Sequence, residues 1–158
     1  MLIIDHLLSP VPAPDLAGIE ADTLVLTWQQ RRWPRGRLTT SKGREIALAL
    51  PTGTVIQAGA LLWADRDWYL SVVAAGEPVL ALEPADWATA VRTAFEIGNR
   101  HFPLAIEGRA LLVQDDPALV QLFDRIGIPF ERRMSPFNPI GTGHSHVTSS
   151  IPEPTAIR

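Results

Sequence analysis

Three of the four histidines in this 158-residue chain stand where an imidazole could hold a metal ion. His101 lies in Ala94-Phe95-Glu96-Ile97-Gly98-Asn99-Arg100-His101-Phe102-Pro103, where a helical pattern stops and the histidine is presented at the stop. His144 and His146 are two residues apart in a stretch rich in proline, glycine and serine. The chain has no cysteine, so a soft thiolate site is excluded, whereas imidazole nitrogens suit a borderline divalent ion. The plainer readings are that His101 packs or hydrogen-bonds a carbonyl and that the later pair decorates a polar tail. His6 is read as structural. No nucleophile–base pair, phosphate loop or paired-carboxylate pocket is legible, so the chain is read as not an enzyme.

The element that presents His101 is a helix. Trp87, Val91, Ala94, Phe95 and Gly98 recur at the spacing of one helix face, which predicts about three amphipathic turns over Asp86 to Ile97. Asp86 is the expected N-cap. Gly98 is expected to take the left-handed conformation that closes the helix, and Pro103 makes continuation through Phe102 unfavourable. Arg100 is expected to turn away from a cation site and pair with Glu96 or an acidic partner, and Asn99 to fix the turn. Neither is read as a ligand.

Around that helix the pattern changes twice. From Leu2 to about Ala75 short strands alternate with turns and no helical stretch is legible. Leu24–Trp28 and Arg44–Leu50 are strand candidates joined at Ser41-Lys42-Gly43. Val55–Gln57 and Leu61–Trp63 flank Ala58-Gly59-Ala60, and Asp65-Arg66-Asp67 leads into Trp68–Val73. This predicts an all-β, sandwich- or barrel-like domain over residues 1–76. Gly76-Glu77-Pro78 reads as the boundary. Beyond it come a strand at Val79–Leu82, the helix, strands at Leu104–Glu107 and Ala110–Gln114, a second helix capped by Asp116 with Pro117 first and Gly127 last, and a strand at Ile128–Glu131. Leu119, Phe123 and Ile126 are expected on its buried face. The order β-α-β-β-α-β predicts a ferredoxin-like domain over 77–134. Residues 135–158 read as a flexible, disordered tail carrying His144 and His146. The fold class is α+β.

Composition narrows the function. A net charge of −3 gives no global attraction to nucleic acid or anionic membranes, and no apolar run approaches the ~20 residues of a membrane span. The first residues lack a basic stretch and include Asp5, so they read as a strand and not as a signal peptide. Absence of cysteine suits a cytoplasmic protein. Against the charge balance, Arg31, Arg32, Arg35, Arg37, Lys42 and Arg44 gather near Trp28 and Trp33, which would suit a nucleic-acid-binding module over residues 28–44. The competing reading is a solvated basic hairpin.

The tetrapeptide Gly98-Asn99-Arg100-His101, followed by Pro103, Asp116, Leu119, Gly127 and Phe137-Asn138-Pro139, resembles the urease accessory nickel metallochaperone family, UreE. The resemblance extends upstream through Arg37-Leu38-Thr39-Thr40, Gly43, Leu48-Ala49-Leu50-Pro51, Gly53-Thr54, Gly59, Val73-Ala74-Ala75 and Glu77-Pro78-Val79-Leu80. It implies a homodimer that carries Ni(II), with Zn(II) as competitor, on His101 from both subunits, the tail histidines closing over the ion. A C2 operator sets each residue opposite its own copy, so a single well-presented histidine becomes a pair. It also implies delivery to the urease apoprotein through the accessory GTPase, with the N-terminal half making partner or peptide contacts. Three departures from relatives stand out: Glu96 where many carry a histidine before Gly98, Asp115 and Pro117 where they carry a histidine pair, and a histidine-poor tail. A second histidine site and multi-ion storage are therefore not expected. A metal-dependent hydrolase using Asp115, Asp116 and His101 is the remaining alternative.

Overall fold

The computed structural model describes residues 1–8 and 16–141. Alternating burial makes the first strands. In β2 (Glu20–Leu26) the side chains of Asp22, Leu24 and Leu26 point inward, and in β4 (Glu45–Ala49) Ile46 and Leu48 do so, followed by Leu50. β1 (Leu2–Ile4) pairs with β4 in parallel and β3 (Arg35–Thr39) pairs with it antiparallel. β2 lies parallel to β6 (Trp68–Ala74), and β5 (Leu61–Ala64) runs antiparallel to β6. These two three-stranded sheets share one core that includes Ile4, Leu26, Ile46, Leu50, Ile56 and Leu70.

Buried Asp22 ties the two sheets together. Its carboxylate accepts from Thr40 Oγ1 (2.6 Å), Arg44 Nη1 (2.8 Å), Thr23 N (2.8 Å) and Lys42 N (3.1 Å). Burial pushes its pKa up, but hydrogen bonds from Thr40 and Arg44 and two backbone N–H groups outweigh it and hold the group below the ordinary carboxylate value.

One expectation for this half fails. The strand that begins at Glu20 stops at Leu26, and Trp28–Arg31 forms a single helical turn, α1. Thr27 and Gln30 form a capping box: Gln30 N donates to Thr27 Oγ1 (3.2 Å), and Thr27 N donates to Gln30 Oε1 (2.9 Å). Satisfying those donors turns the chain just where a strand was expected to continue. Val55–Gln57 likewise forms no strand.

The rest of the chain runs β7 (Gly76–Leu82), α2 (Trp87–Asn99), β8 (Ala105–Glu107), β9 (Ala110–Gln114), α3 (Pro117–Ile126) and β10 (Glu131–Pro136). Its four strands lie in the order β10-β7-β9-β8, each neighbouring pair antiparallel. Leu80, Leu82, Leu111 and Val113 meet Ile97 of α2 and Leu119, Leu122 and Phe123 of α3, so both helices cover one face. Ile126, expected among the buried residues of α3, is 39% exposed, and Leu122 is buried in addition. The boundary expected at Gly76-Glu77-Pro78 is itself strand, paired with Pro136-Ser135-Met134. The last strand starts at Glu131, not Ile128, because Ile128 and Phe130 turn into the helix-side core instead of a ladder.

The opposite face of this sheet joins the two halves of the chain. Val79, Ala81, Ala105, Ala110 and Leu112 leave room there for Trp28 and Phe137, which meet edge to face with ring centroids 6.4 Å apart. Trp28 N donates to Glu77 Oε2 (2.7 Å), and Gln114 Nε2 donates to Glu77 Oε1 (3.1 Å). Arg31, 1% exposed, donates through Nη2 to the carbonyl of Phe137. Burial lowers the Arg31 pKa and the Glu77 charge opposes that shift. Residues 135–141, expected to begin the tail, thus belong to the packed structure, with Phe137 fully buried. Among the described residues no helix is long and apolar enough to cross a membrane.

Candidate metal centre

Helix α2 is fixed at both ends. Asp86 caps its start, accepting from Thr89 N at 2.7 Å, and that backbone hydrogen bond holds the Asp86 carboxyl below its ordinary pKa. At the other end Phe102 N reaches back to Ile97 O (3.4 Å) and His101 N to Gly98 O (2.9 Å). This is the paired 6→1 and 5→2 closure of a helix, with Phe102 and Ile97 sharing the core beneath it. The helix therefore continues through Gly98, which was expected to end it, and the left-handed residue is His101 at φ 60°.

Among the described residues His101 is the only non-glycine with positive φ. A side chain there costs about 1–2 kcal/mol relative to ordinary backbone. Glycine would remove that cost, so the imidazole is held at this point against the local preference. The closure leaves the His101 side chain exposed on a rigid base. Arg100 beside it is drawn back along the helix, its Nη1 donating to Glu96 Oε2 (2.6 Å) and to Glu96 O (2.8 Å). The expected pairing with Glu96 is present, and it turns the guanidinium away from the imidazole.

Of the residues that recur along one face of this helix, Ala94 packs against the core and the three largest are exposed. Trp87, Val91 and Phe95, at i, i+4 and i+8, are 82%, 47% and 64% exposed, while Thr93 and Ile97 are buried. Phe95, the last residue of the stripe, precedes His101 by six residues. Ile106, 58% exposed, lies with Trp87 along a shallow groove. So large an apolar strip on one surface marks an interaction face.

His101 also lines an open groove of about 440 Å³ between the two halves, with Phe102 and Pro103 on its own side and Trp28, Arg32 and Val55 on the other. Among the described residues no three His, Cys, Asp or Glu side chains converge on one point. Within one subunit His101 therefore has no described co-ligand cluster. His144 and His146 lie outside the described residues. The chain approaches them from a defined place, because Ile140 N donates to Leu104 O (2.8 Å), three residues beyond His101.

The remaining candidates are occupied elsewhere. Asp116 caps α3 through Ala118 N (2.8 Å), and Asp115 accepts from Arg132 Nε (3.0 Å), so the aspartates of the hydrolase reading serve local structure. His6 lies just beyond β1, exposed, with Nδ1 2.6 Å from Asp5 Oδ1. The basic stretch is partly spent internally: Arg31 is buried, Lys42 and Arg44 pair with Glu20 (2.9 and 2.8 Å), and Arg44 also lies over the Trp68 ring at 4.4 Å. Trp28, needed exposed for base stacking, is 4% exposed.

Comparison with known proteins agrees with this layout. Residues 4–75 match the family model of the UreE urease accessory protein N-terminal domain, and residues 77–152 match that of its C-terminal domain. A urease accessory protein UreE of Paraburkholderia xenovorans is 38% identical over 152 residues, covering 92% of this chain and 67% of the relative. Its counterpart in Burkholderia thailandensis is 36% identical over 151 residues, covering 92% and 71%. The chain spans about two thirds of the length of these relatives. With both domain models matched in order and these relatives aligned over most of its length, the chain belongs to the UreE urease accessory protein family.

Proposed function

We propose that this chain is a non-enzymatic nickel carrier for urease maturation, acting as a homodimer and passing Ni(II) on through the urease accessory GTPase to the urease apoprotein complex. The observation that carries this reading is His101: an exposed imidazole in a backbone position that favours glycine, at the end of an unpartnered apolar helix stripe. Two copies pairing through Trp87, Val91 and Phe95 about a two-fold axis would bring the two His101 side chains together. Imidazole nitrogens hold nickel well, and Zn(II) is the natural competitor for the same donors.

His144 and His146 are the further ligands in this reading. In sequence His144 follows Ile140 by four residues, and Ile140 is anchored beside the strand that follows His101. Ligation requires deprotonated imidazole, so nickel retention falls on acidification. The βαββαβ order and antiparallel strand order of the C-terminal half support a ferredoxin-like metal-binding unit. The two sheets around one core support a sandwich-like N-terminal unit for partner contacts. The nucleic-acid reading of residues 28–44 gains no support from the comparisons, and Trp28 is buried.

Equilibrium dialysis against nickel combined with light scattering tests the proposal. One tightly held ion per two chains in a dimer is expected. One tight ion per chain, or tight binding by a monomer, would mean that the site is assembled within one subunit.

A further inference from the structure

The groove beside His101 has a chemistry that the metal site alone does not use. Arg32 lies on its rim with its guanidinium 5.7 Å from the centroid of the Trp28 ring, and among the described residues no carboxylate is within ion-pair distance of it. Stacking on a buried indole holds the cation in place. Trp28, which also lines the groove, keeps its indole N–H without an acceptor among the described residues, a buried donor still lacking its hydrogen bond. The far wall is His101, with Phe102 and Pro103 beside it, where the proposed function puts a divalent cation. A groove lined by a fixed cation at Arg32 and by the imidazole that takes the proposed metal ion favours an anion with two oxygens.

We propose that this groove docks an extended acidic peptide segment of a partner protein, with one of its carboxylates paired to Arg32 and reaching the ion at His101. The metal-dependent part of this inference rests on the proposed nickel reading. Docking onto Arg32 does not, since Arg32 lines the groove beside the Trp28 ring whether or not a metal is bound. The apolar lining of Val55, Phe102 and Pro103 suits the rest of an extended segment, while the net charge of −3 disfavours a long polyanion such as nucleic acid. The carboxylate would make nickel retention and partner docking reinforce each other, as two ligands that share a contact must.

The test uses the full chain, 15N-labelled, titrated with the capped peptide Gly-Glu-Asp-Glu-Gly and with its uncharged counterpart Gly-Gln-Asn-Gln-Gly. The acidic peptide is expected to shift the Trp28 indole N–H resonance and the uncharged one to leave it in place. Arg32→Ala should weaken the acidic peptide about tenfold, Arg32→Lys should recover part of that loss, and Arg35→Ala, which removes the same charge from β3, should stay within about twofold of the parent. Nickel should tighten peptide binding to the parent and leave binding to His101→Ala unchanged.

The outcomes separate the two readings. Failure of nickel to bind at His101, with peptide docking to the metal-free chain still dependent on Arg32, would overturn the carrier reading and leave the docking groove standing. Tight nickel binding together with an Arg32→Ala variant that takes the peptide like the parent would overturn the groove. So would a chain cut after Gly141 that binds the peptide about tenfold more tightly than the full chain, since the chain's own end would then be the occupant. Tighter binding of a short single-stranded DNA than of the peptide would overturn it as well.

Discussion

His101 and Gly127 occupy the same left-handed backbone position at the ends of the two long helices, with φ of 60° and 71°. In each case the next residue reaches back five positions, Phe102 N to Ile97 O and Ile128 N to Phe123 O, and its side chain enters the shared core. The fold solves one problem twice and uses glycine only once.

Replacing His101 with glycine should therefore stabilise the metal-free protein by about 1 kcal/mol, a rise in Tm of roughly 2–4 °C for a chain of this size, while removing the tight nickel site. Thermal unfolding with and without nickel checks both halves of this expectation. A lower Tm for His101→Gly without metal would show that the imidazole contributes to packing and that the backbone cost is not what distinguishes this position.

What was legible in the sequence was local. Asp116, Pro117 and Gly127 mark α3 because a cap, a first-turn proline and a left-handed glycine each act within a few residues, and Asp86 marks the start of α2 for the same reason. Which face of α2 is buried was not legible. Trp87, Val91 and Phe95 repeat with the period of Ala90, Thr93, Ala94 and Ile97, and periodicity alone cannot tell a stripe that faces the core from one that faces a partner. Thr27-x-x-Gln30 is a legible capping box that was missed because Leu24-Val25-Leu26 reads so strongly as strand. The parallel pairings of β1 with β4 and β2 with β6 depend on contacts far apart in sequence, and no local pattern announces them.

The exposed stripe gives a prediction about assembly. Phe95→Asp places a charge in the apolar surface through which the proposed dimer pairs, and light scattering should then show a monomer with little effect on the fold. Tight nickel binding should be lost with the dimer although His101 is untouched. A variant that stays dimeric would place the subunit interface elsewhere.

Glu77 is the acceptor on which the junction between the halves converges, receiving the Trp28 N–H and the Gln114 amide and facing the buried Arg31 charge. Glu77→Ala leaves a buried donor and a buried cation uncompensated, so urea unfolding should show a loss of about 3 kcal/mol. A loss below about 0.5 kcal/mol would mean that the junction relaxes without it.

Asp22 sets an acid limit on the N-terminal half. Its folded-state pKa is depressed below the ordinary 3.8, so the stability it contributes is fully present above that value and is lost as pH falls below it toward the depressed one. At pH 7, Asp22→Asn should cost about 2–3 kcal/mol, because the amide cannot accept as a charge from Arg44 and from Thr40, Thr23 and Lys42. The variant and the parent should converge in stability as the pH is lowered through that range. A constant difference across it would assign the effect to shape and not to charge.

The end of the chain separates packing from ligation. A cut after Gly141 keeps Phe137 under Trp28, the Phe137 carbonyl on Arg31 and the Ile140 N–H on Leu104. It removes only residues beyond the described fold, His144 and His146 among them. The shortened protein should unfold at the parent's urea midpoint and stay dimeric, yet release nickel faster to a chelator. A cut after Ser135 removes the fully buried Phe137 and leaves Arg31 without its acceptor, which together should cost about 4 kcal/mol or more. Measuring both cuts by unfolding and by nickel release distinguishes a tail that begins after Gly141 from one that begins at Ser135. Equal nickel release from the parent and the Gly141 cut would remove His144 and His146 from the ligand set and leave the two His101 imidazoles to find their remaining donors elsewhere.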